Sequence, residues 1–439
     1  MTAAVASPKS RRVFGVPVPI AIFFLAIMLP TAVSLNLGGL RLSAYRVFLV
    51  LMILPMLLQL VIGRRGKLNL FDAMILAHCT WAIFALIKWG GLGQGIESGG
   101  IYFVECCGAY LVGRLYIRTY EDFAAMARAY TGVVCVTLCF TIPEALTGIH
   151  ILYDTISGAV GGPRAPFIEP RMGIERTFGP FDHPILYGVF CASAFSLAYF
   201  VVAERRLSNL SGMAKVFGVG LATFMSASGG PYLVLMMQGF VASWERVLGR
   251  LKGRWAALFS LILLAYIAID LFSTKTPFHV FVNNFTFSKQ SAYNRILLFE
   301  YGTAEVARHP IFGIGLGDWQ RPSWMSDSMD NFWLVTAVRY GLPAFFLLVG
   351  MLLGLVWAVG QRKGLPDSWR RARHAWAFTL FGISVAAATV HLWNALFVLF
   401  FFLIGSGAWL LDARVGRTPV QKHPTPRFSP AALQPARLF

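Results

Sequence analysis

The sequence predicts an all-α, polytopic membrane protein with about twelve transmembrane helices. Hydrophobic residues make up 57% of the 439-residue chain and charged residues only 13%, which is typical of membrane proteins and unusual for soluble domains. A hydrocarbon core about 30 Å thick requires roughly 20 apolar residues per helix, and the sequence reaches that length repeatedly. The predicted spans lie near residues 17–36, 43–62, 69–88, 100–117, 123–146, 184–203, 214–229, 231–247, 255–273, 333–359, 374–393 and 395–412.

Basic residues predict the orientation of these spans. Lysines and arginines recur at alternate connections, and the positive-inside rule places such connections in the cytoplasm. Both termini are therefore predicted to be cytoplasmic, with residues 1–12 before the transmembrane domain (13–412) and a disordered basic tail at 413–439. The net charge of +18 follows largely from this bias, so no nucleic-acid partner is predicted.

Two loops on the predicted outer side are longer than the other connections, at about 148–183 and 274–332. Because both face the same compartment, we expect them to cover one cavity in the bundle. The second loop contains an amphipathic pattern over 291–308 that predicts a helix, which Pro310 terminates. The glycines that follow, 313, 315 and 317, indicate a flexible turn and not a phosphate-binding fingerprint, because no strand precedes them.

Arginines in the first loop contradict the charge bias of the outer side. Arg164, Arg171 and Arg176 lie where few cations are expected. Guanidinium groups match phosphate oxygens bidentately, so these arginines are candidates for binding a phosphate or diphosphate. The alternative is pairing with lipid headgroups or with Glu169 and Glu175.

The points where the two loops re-enter the membrane carry further candidates. His183, after Asp182, could act as a base or diphosphate ligand, or could simply begin a helix at Pro184. Asp330, before Asn331, could be a general base or a helix cap. On the predicted helix, the polar residues are Asn294, Arg295, Glu305 and Arg308, and Arg339 follows Asn331 about two turns into the next span.

Ionisable residues also occur within the predicted spans, where charge is costly and tends to mark a pathway or an internal pair. They are Asp72, Glu105, Arg128, Glu144, Asp270 and His391. His78 and His391 are lone histidines on apolar helices, which favours a packing role for both.

Three sets of residues occur in order along the two loops and the span that follows them. They are Arg176-Thr177-Phe178-Gly179-Pro180-Phe181-Asp182-His183-Pro184, then Asn294-Arg295 with Ala307-Arg308-His309-Pro310-Ile311-Phe312-Gly313-Ile314-Gly315, then Asp330-Asn331-Phe332-Trp333-Leu334 leading to Tyr340-Gly341-Leu342-Pro343. In order, spacing and topology over roughly residues 100–410, they resemble the O-antigen ligase and Wzy polymerase superfamily of bacterial membrane glycosyltransferases.

The resemblance implies a GT-C type architecture and transfer of a glycan from an undecaprenyl-diphosphate donor at the periplasmic face of the inner membrane. Arg176 and Arg295 would hold the donor diphosphate and stabilise the charge that develops on the leaving group. No metal, nucleotide or other cofactor is expected, because the donor is already activated. Arg171 and Arg308 are further predicted diphosphate ligands. The predicted glycan contacts are Asn331, Asp182, Asn294 and Arg339.

Two departures from the family pattern bear on the acceptor. Ligases of lipopolysaccharide typically carry His where this chain has Asp330, so either Asp330 or His183 is predicted to be the base. The segment Ser226-Ala227-Ser228-Gly229-Gly230 resembles the family's Ser-rich motif without its usual Arg. Both departures favour a polymerase of lipid-linked repeat units over a ligase. A glycolipid transporter is the alternative from another class, and a chain-length regulator or flippase is an expected partner.

Overall fold

The computed structural model describes residues 11–412, apart from 38–39, 172, 275, 278, 281 and 283–288, and apart from the side chains of 37 and 289–291. Most of the predicted N-terminal segment and all of the predicted tail lie outside the described residues. Two antiparallel hairpins flank the first helix: β1 (Arg12–Val13) with β2 (Val16–Pro17), and β3 (Ser34–Leu37) with β4 (Leu40–Ser43). The helices are α1 (Val18–Ile27), α2 (Ala44–Val61), α3 (Leu70–Phe103), α4 (Ala109–Tyr116), α5 (Tyr120–Thr147), α6 (Ile151–Ala159), α7 (Pro184–Ser193), α8 (Phe195–Leu197), α9 (Leu210–Met225), α10 (Gly229–Leu248), α11 (Arg254–Phe272), α12 (Lys289–Arg308), α13 (Phe332–Gly360), α14 (Asp367–Ala386), α15 (Asn394–Ser406) and α16 (Trp409–Asp412), with π-helical segments at Val104–Gly108 and Ala198–Val202.

The helices agree with the predicted all-α membrane protein. Within the described residues, seven helical stretches are long and apolar enough to cross a membrane, and α1 and α9 are apolar but shorter. The count of twelve spans therefore stays a prediction. The seven stretches are Ala44–Val61, Leu70–Tyr116, Tyr120–Thr147, Pro184–Val202, Arg254–Phe272, Phe332–Gly360 and Asn394–Asp412.

The first predicted span, 17–36, is wrong in its length. α1 ends at Ile27, and residues 34–37 form strand β3, in which Ser34 pairs with Ser43. Pro30 explains the early end, because proline lacks a backbone N–H and restricts the residue before it. A helix of 10 residues rises about 15 Å, roughly half of a hydrocarbon core.

α3 reverses direction at a glycine, which separates the predicted spans 69–88 and 100–117. Gly91 has φ 74° and ψ 177°, outside the helical region. After the reversal, Gly95 and Gly99 lie against Ile87 and Ile83, at positions where a Cβ would come within 2.5 and 2.9 Å of them. Glycine is thus required at the turn by its φ and beyond it by close packing.

The core of the bundle surrounds α15, in which every residue from Ala395 to Ser406 is buried. α15 packs against α4, while α3 packs against α13, α5 against α9, and α10 against both α7 and α14. Between α14 and α15, residues 387–393 are not helical. The first loop, the start of α10, this break and α12 contact one another, and they contain the candidate site.

Candidate functional site

Arg176 lies in a loop segment that is fixed to the ends of two helices. The backbone N–H groups of residues 175 and 177 donate to carbonyl groups near the C-terminal ends of α5 and α9, at 3.3 and 3.2 Å. The buried Glu144 Oε1 accepts from the N–H groups of Phe178 and Gly179, at 2.8 and 3.3 Å, and lies 2.7 Å from His150 Nδ1. Glu144, a charge within a predicted span, is therefore a loop anchor.

The Arg176 side chain points into the protein and is only 6% exposed. Its Nη2 donates to Ser228 Oγ at 2.8 Å, and Ser228 Oγ donates in turn to the Ser226 carbonyl at 2.9 Å. Between these serines, Ala227 has φ 43°, a left-handed conformation that is costly for a residue with a Cβ and that often occurs at functional sites. The turn before α10 thus presents a hydroxyl to the guanidinium.

Arg171, Arg176 and Arg295 form one cluster of positive charge, which we call the arginine cluster. Burial and, to a smaller extent, the nearby charge of Arg171 lower the pKa of Arg176 to about 10. Burial also lowers the pKa of Arg295, where Asp330 opposes this effect and Arg171 adds to it. The charge of Arg171 thus acts on one arginine from each of the two predicted loops. At neutral pH Arg176 remains charged, because its pKa lies well above 7.

Arg295 reaches the cluster from α12. The predicted helix at 291–308 is present as Lys289–Arg308 and ends just before Pro310. Arg295 Nε donates to the carbonyl of Thr389 at 3.3 Å, so the guanidinium is held against the break between α14 and α15. Asp330 is exposed, and its Oδ1 accepts from Ser328 Oγ at 3.1 Å.

His183 lies in the same region and caps α7. Its Nδ1 accepts from the N–H of Ile185 at 3.1 Å. Burial, together with the charges of Arg176 and Arg171, lowers the pKa of His183 to about 4, so the ring is neutral at pH 7. A neutral imidazole whose Nδ1 accepts carries its proton on Nε2. This tautomer suits His183 to donating a hydrogen bond and leaves it without a free lone pair for a base.

Asp182 and Asn331, two predicted glycan contacts, have structural partners. Asp182 accepts from Thr31 Oγ1 at 2.6 Å and from Asn394 Nδ2 at 2.9 Å, which ties the first loop to α15. Asn331 is the N-cap of α13, because its Oδ1 accepts from Leu334 N at 3.0 Å. The capping role considered for Asp330 therefore belongs to its neighbour.

The other predicted residues on α12 lie differently. Arg308 Nη2 pairs with Glu305 Oε2 at 2.6 Å. This ion pair lies at the C-terminal end of α12, whereas Arg295 lies near its N-terminal end. The charge of Arg308 is thus already balanced by a carboxylate, and the structure does not place Arg308 in the arginine cluster. Asn294 is exposed beside Arg295.

Arg339 is positioned by two glycines. The turn at 310–315 packs against a kink in α13 at Gly341, where φ is 82°. A Cβ on Gly341 would lie 2.0 Å from the Ile311 carbonyl oxygen, and one on Gly313 would lie 2.3 Å from the Val338 carbonyl oxygen. Backbone hydrogen bonds from residues 314 and 315 to the carbonyls of 338 and 339 complete the contact. The glycine-rich turn therefore fixes the backbone that carries Arg339.

The fold brings to this region several residues that the sequence did not assign to the site. Ser228 supports Arg176, Thr389 supports Arg295, and His391 lines two cavities beside Arg339. The break at 387–393 gave no signal, because an apolar run with one histidine also fits an uninterrupted helix. Within the described residues, no group of three or more His, Cys, Asp and Glu side chains could hold a metal ion.

No protein-family model matches the chain, and no curated protein matches it significantly.

Proposed function

We propose that the chain is a GT-C type glycosyltransferase that polymerises undecaprenyl-diphosphate-linked repeat units at the periplasmic face of the bacterial inner membrane. The observation that carries this proposal is the meeting of Arg171, Arg176 and Arg295 from two loops distant in sequence. Twelve spans with both termini in the cytoplasm belong to the same proposal, because they place both loops outside.

The charge balance of the site supports a diphosphate ligand. Arg171 acts electrostatically on both Arg176 and Arg295, and Asp330 is the carboxylate that acts on Arg295. Arg176 Nε is buried and has no hydrogen-bond partner among the described residues, and a phosphate oxygen would supply the acceptor that a buried donor needs. The N-terminus of α10, which follows Ser228, adds the partial positive charge of a helix end.

The same groups would assist transfer. A hydroxyl oxygen of the acceptor sugar attacks the anomeric carbon of the donor, and the bond from that carbon to the diphosphate breaks. The bonding electron pair leaves with the diphosphate, and its new charge is stabilised by fixed arginines. His183 donates a hydrogen bond from Nε2 to the same group. Two groups could accept the proton of the attacking hydroxyl: Asp330, beside the arginines, and His391.

A complemented deletion strain tests this function. Wild-type protein and Arg250→Ala, an exposed arginine distant from the loops in sequence, should restore long glycan chains. Arg176→Ala and Arg295→Ala should leave single repeat units attached to the acceptor at unchanged membrane abundance. Wild-type chain length in either variant would remove that arginine from the site.

The glycans of the deletion strain itself separate the rival functions. Loss of a ligase leaves long chains on the lipid carrier, whereas loss of a polymerase leaves single units attached. Loss of a transporter leaves lipid-linked units on the cytoplasmic side. A gel combined with accessibility to an external glycosidase distinguishes the three patterns. Either the ligase pattern or the transporter pattern would contradict polymerisation.

A further inference from the structure

A cavity with a mixed polar and apolar lining, which we call the inner cavity, lies beside residues 391–394, just after Thr389, whose carbonyl accepts from Arg295. It has a volume of about 320 Å³ and lies between α3, α13 and the residues that lead into α15. This is the lower end of the range for small-molecule sites. A second cavity of about 480 Å³, beneath the 314–329 loop, shares four lining residues with it. The two are therefore adjacent, and the residues that line both are Leu316, Val335, Arg339 and His391.

The lining of the inner cavity suits a ligand with many hydroxyl groups. Arg46 Nε donates to Glu105 Oε1 at 2.7 Å, and the exposed Arg339 adds a cation to the lining. The remaining polar groups include Ser98 and Asn394, and Trp393 adds an aromatic side chain. Hydroxyl and amide groups beside aromatic rings can satisfy both faces and the hydroxyls of a pyranose ring.

His391 stands at the junction of the two cavities. Its Nδ1 is buried without a hydrogen-bond partner among the described residues. His391 is two residues from Thr389, so the Cα atoms of these two residues are at most about 7 Å apart. The carbonyl of Thr389 accepts the hydrogen bond from Arg295.

We propose that the inner cavity is the acceptor-sugar site and that His391 is the general base of the transfer. As the oxygen of the acceptor hydroxyl bonds to the anomeric carbon, the proton of that hydroxyl passes to the imidazole. The electron pair of the broken bond leaves with the diphosphate, held by the arginine cluster, and the imidazolium then releases its proton to water. Asp330 has the separate task of orienting Arg295, on which its charge acts.

This inference rests on the proposed function, and its test uses purified full-length protein in nanodiscs with lipid-linked repeat units. His391→Gln should lower the single-turnover rate at least about 100-fold, because general-base catalysis contributes 10²–10⁴-fold. Asp330→Asn should weaken donor binding more than it slows the bound donor's reaction. Binding of the probe undecaprenyl diphosphate, measured as a thermal shift, should be unchanged in His391→Gln.

A wild-type rate in His391→Gln, or loss of the single-turnover rate in Asp330→Asn at saturating donor, would overturn the assignment of His391. Absence of any new glycosidic bond from wild-type protein would instead overturn the proposed function, so the two failures are distinguishable.

The cavity is tested without a disruptive change. Treatment of Ser98→Cys with a charged methanethiosulfonate reagent should abolish the transfer activity that the untreated variant shows, while undecaprenyl diphosphate still binds. Wild-type protein treated with the same reagent controls for the native Cys139, which is exposed. Unchanged transfer after complete modification of residue 98 would overturn the acceptor site.

Discussion

Arg176 Nη2 donates a 2.8 Å hydrogen bond to Ser228 Oγ, and this bond connects the first loop to the start of α10. The Arg176 side chain is buried, so its guanidinium cannot exchange this hydrogen bond freely for one to water. The hydroxyl at 228 both receives the guanidinium and is held by the Ser226 carbonyl. The pair therefore sets the direction in which the cluster presents its charge.

Removing this hydroxyl should misplace Arg176. A hydrogen bond to a charged group contributes about 1.5–3 kcal/mol, so we expect Ser228→Ala to weaken binding of undecaprenyl diphosphate roughly 10- to 100-fold, measured by titration. Ser228→Thr retains the hydroxyl and is the matched control. Equal binding by Ser228→Ala and wild type would mean that the bond does not orient the arginine.

Removing the loop anchor at Glu144 should affect both stability and glycan transfer. Glu144→Ala leaves the N–H groups of Phe178 and Gly179 buried without their acceptor, which costs about 1–3 kcal/mol for each unsatisfied group. We expect a lower melting temperature and reduced glycan transfer. Glu144→Gln keeps an acceptor oxygen and should retain most of both, whereas equal losses in the two variants would show that the negative charge matters more than the anchor.

The kink at Gly341 should not tolerate a side chain. Gly341→Ala places a Cβ about where the Ile311 carbonyl oxygen lies, at a positive φ, so we expect a loss of at least about 2 kcal/mol of stability together with reduced activity. Gly132→Ala, in α5 with open space around it, should be neutral or slightly stabilising. Similar melting temperatures for the two variants would contradict the packing of the 310–315 turn against α13.

His183 predicts a contribution to acid sensitivity. Its pKa is lowered from 6.5 to about 4 in the folded protein, so between these values the unfolded state binds more protons than the folded state. The contribution of His183 to the free energy of unfolding is therefore complete above about pH 6.5 and is lost as the pH falls toward 4. His183→Asn can still cap α7 but does not titrate, so its melting temperature should fall less than that of wild type between pH 7.5 and 4.5. An equal fall would contradict the buried neutral ring.

Local signals in the sequence predicted local structure well. The amphipathic pattern and Pro310 gave α12 within two residues at its start. Pro30 was a visible stop signal, but hydropathy alone extended the first span through it. Asp330 and Asn331 are both good caps by type, so only the fold distinguishes which of them begins α13.

The parts that could not be predicted depend on contacts between distant segments. Ser228 contacts Arg176 because the chain turns sharply at Ala227, between α9 and α10. No periodic pattern in the sequence marks that turn. His391 resembled a packing residue because its neighbours are apolar. Its position at the end of a cavity follows only from the break at 387–393 and from the approach of Arg339 on α13.

The central claim is that the arginine cluster binds a lipid-linked diphosphate so that a new glycosidic bond can form. The most direct measurement is bond formation by purified protein in liposomes that contain labelled undecaprenyl-diphosphate-linked repeat units. We expect wild-type protein and Arg250→Ala to make longer glycans, and Arg171→Ala, Arg176→Ala and Arg295→Ala to make few or none. Wild-type protein that moves lipid-linked glycan across the bilayer and forms no glycosidic bond would contradict the account.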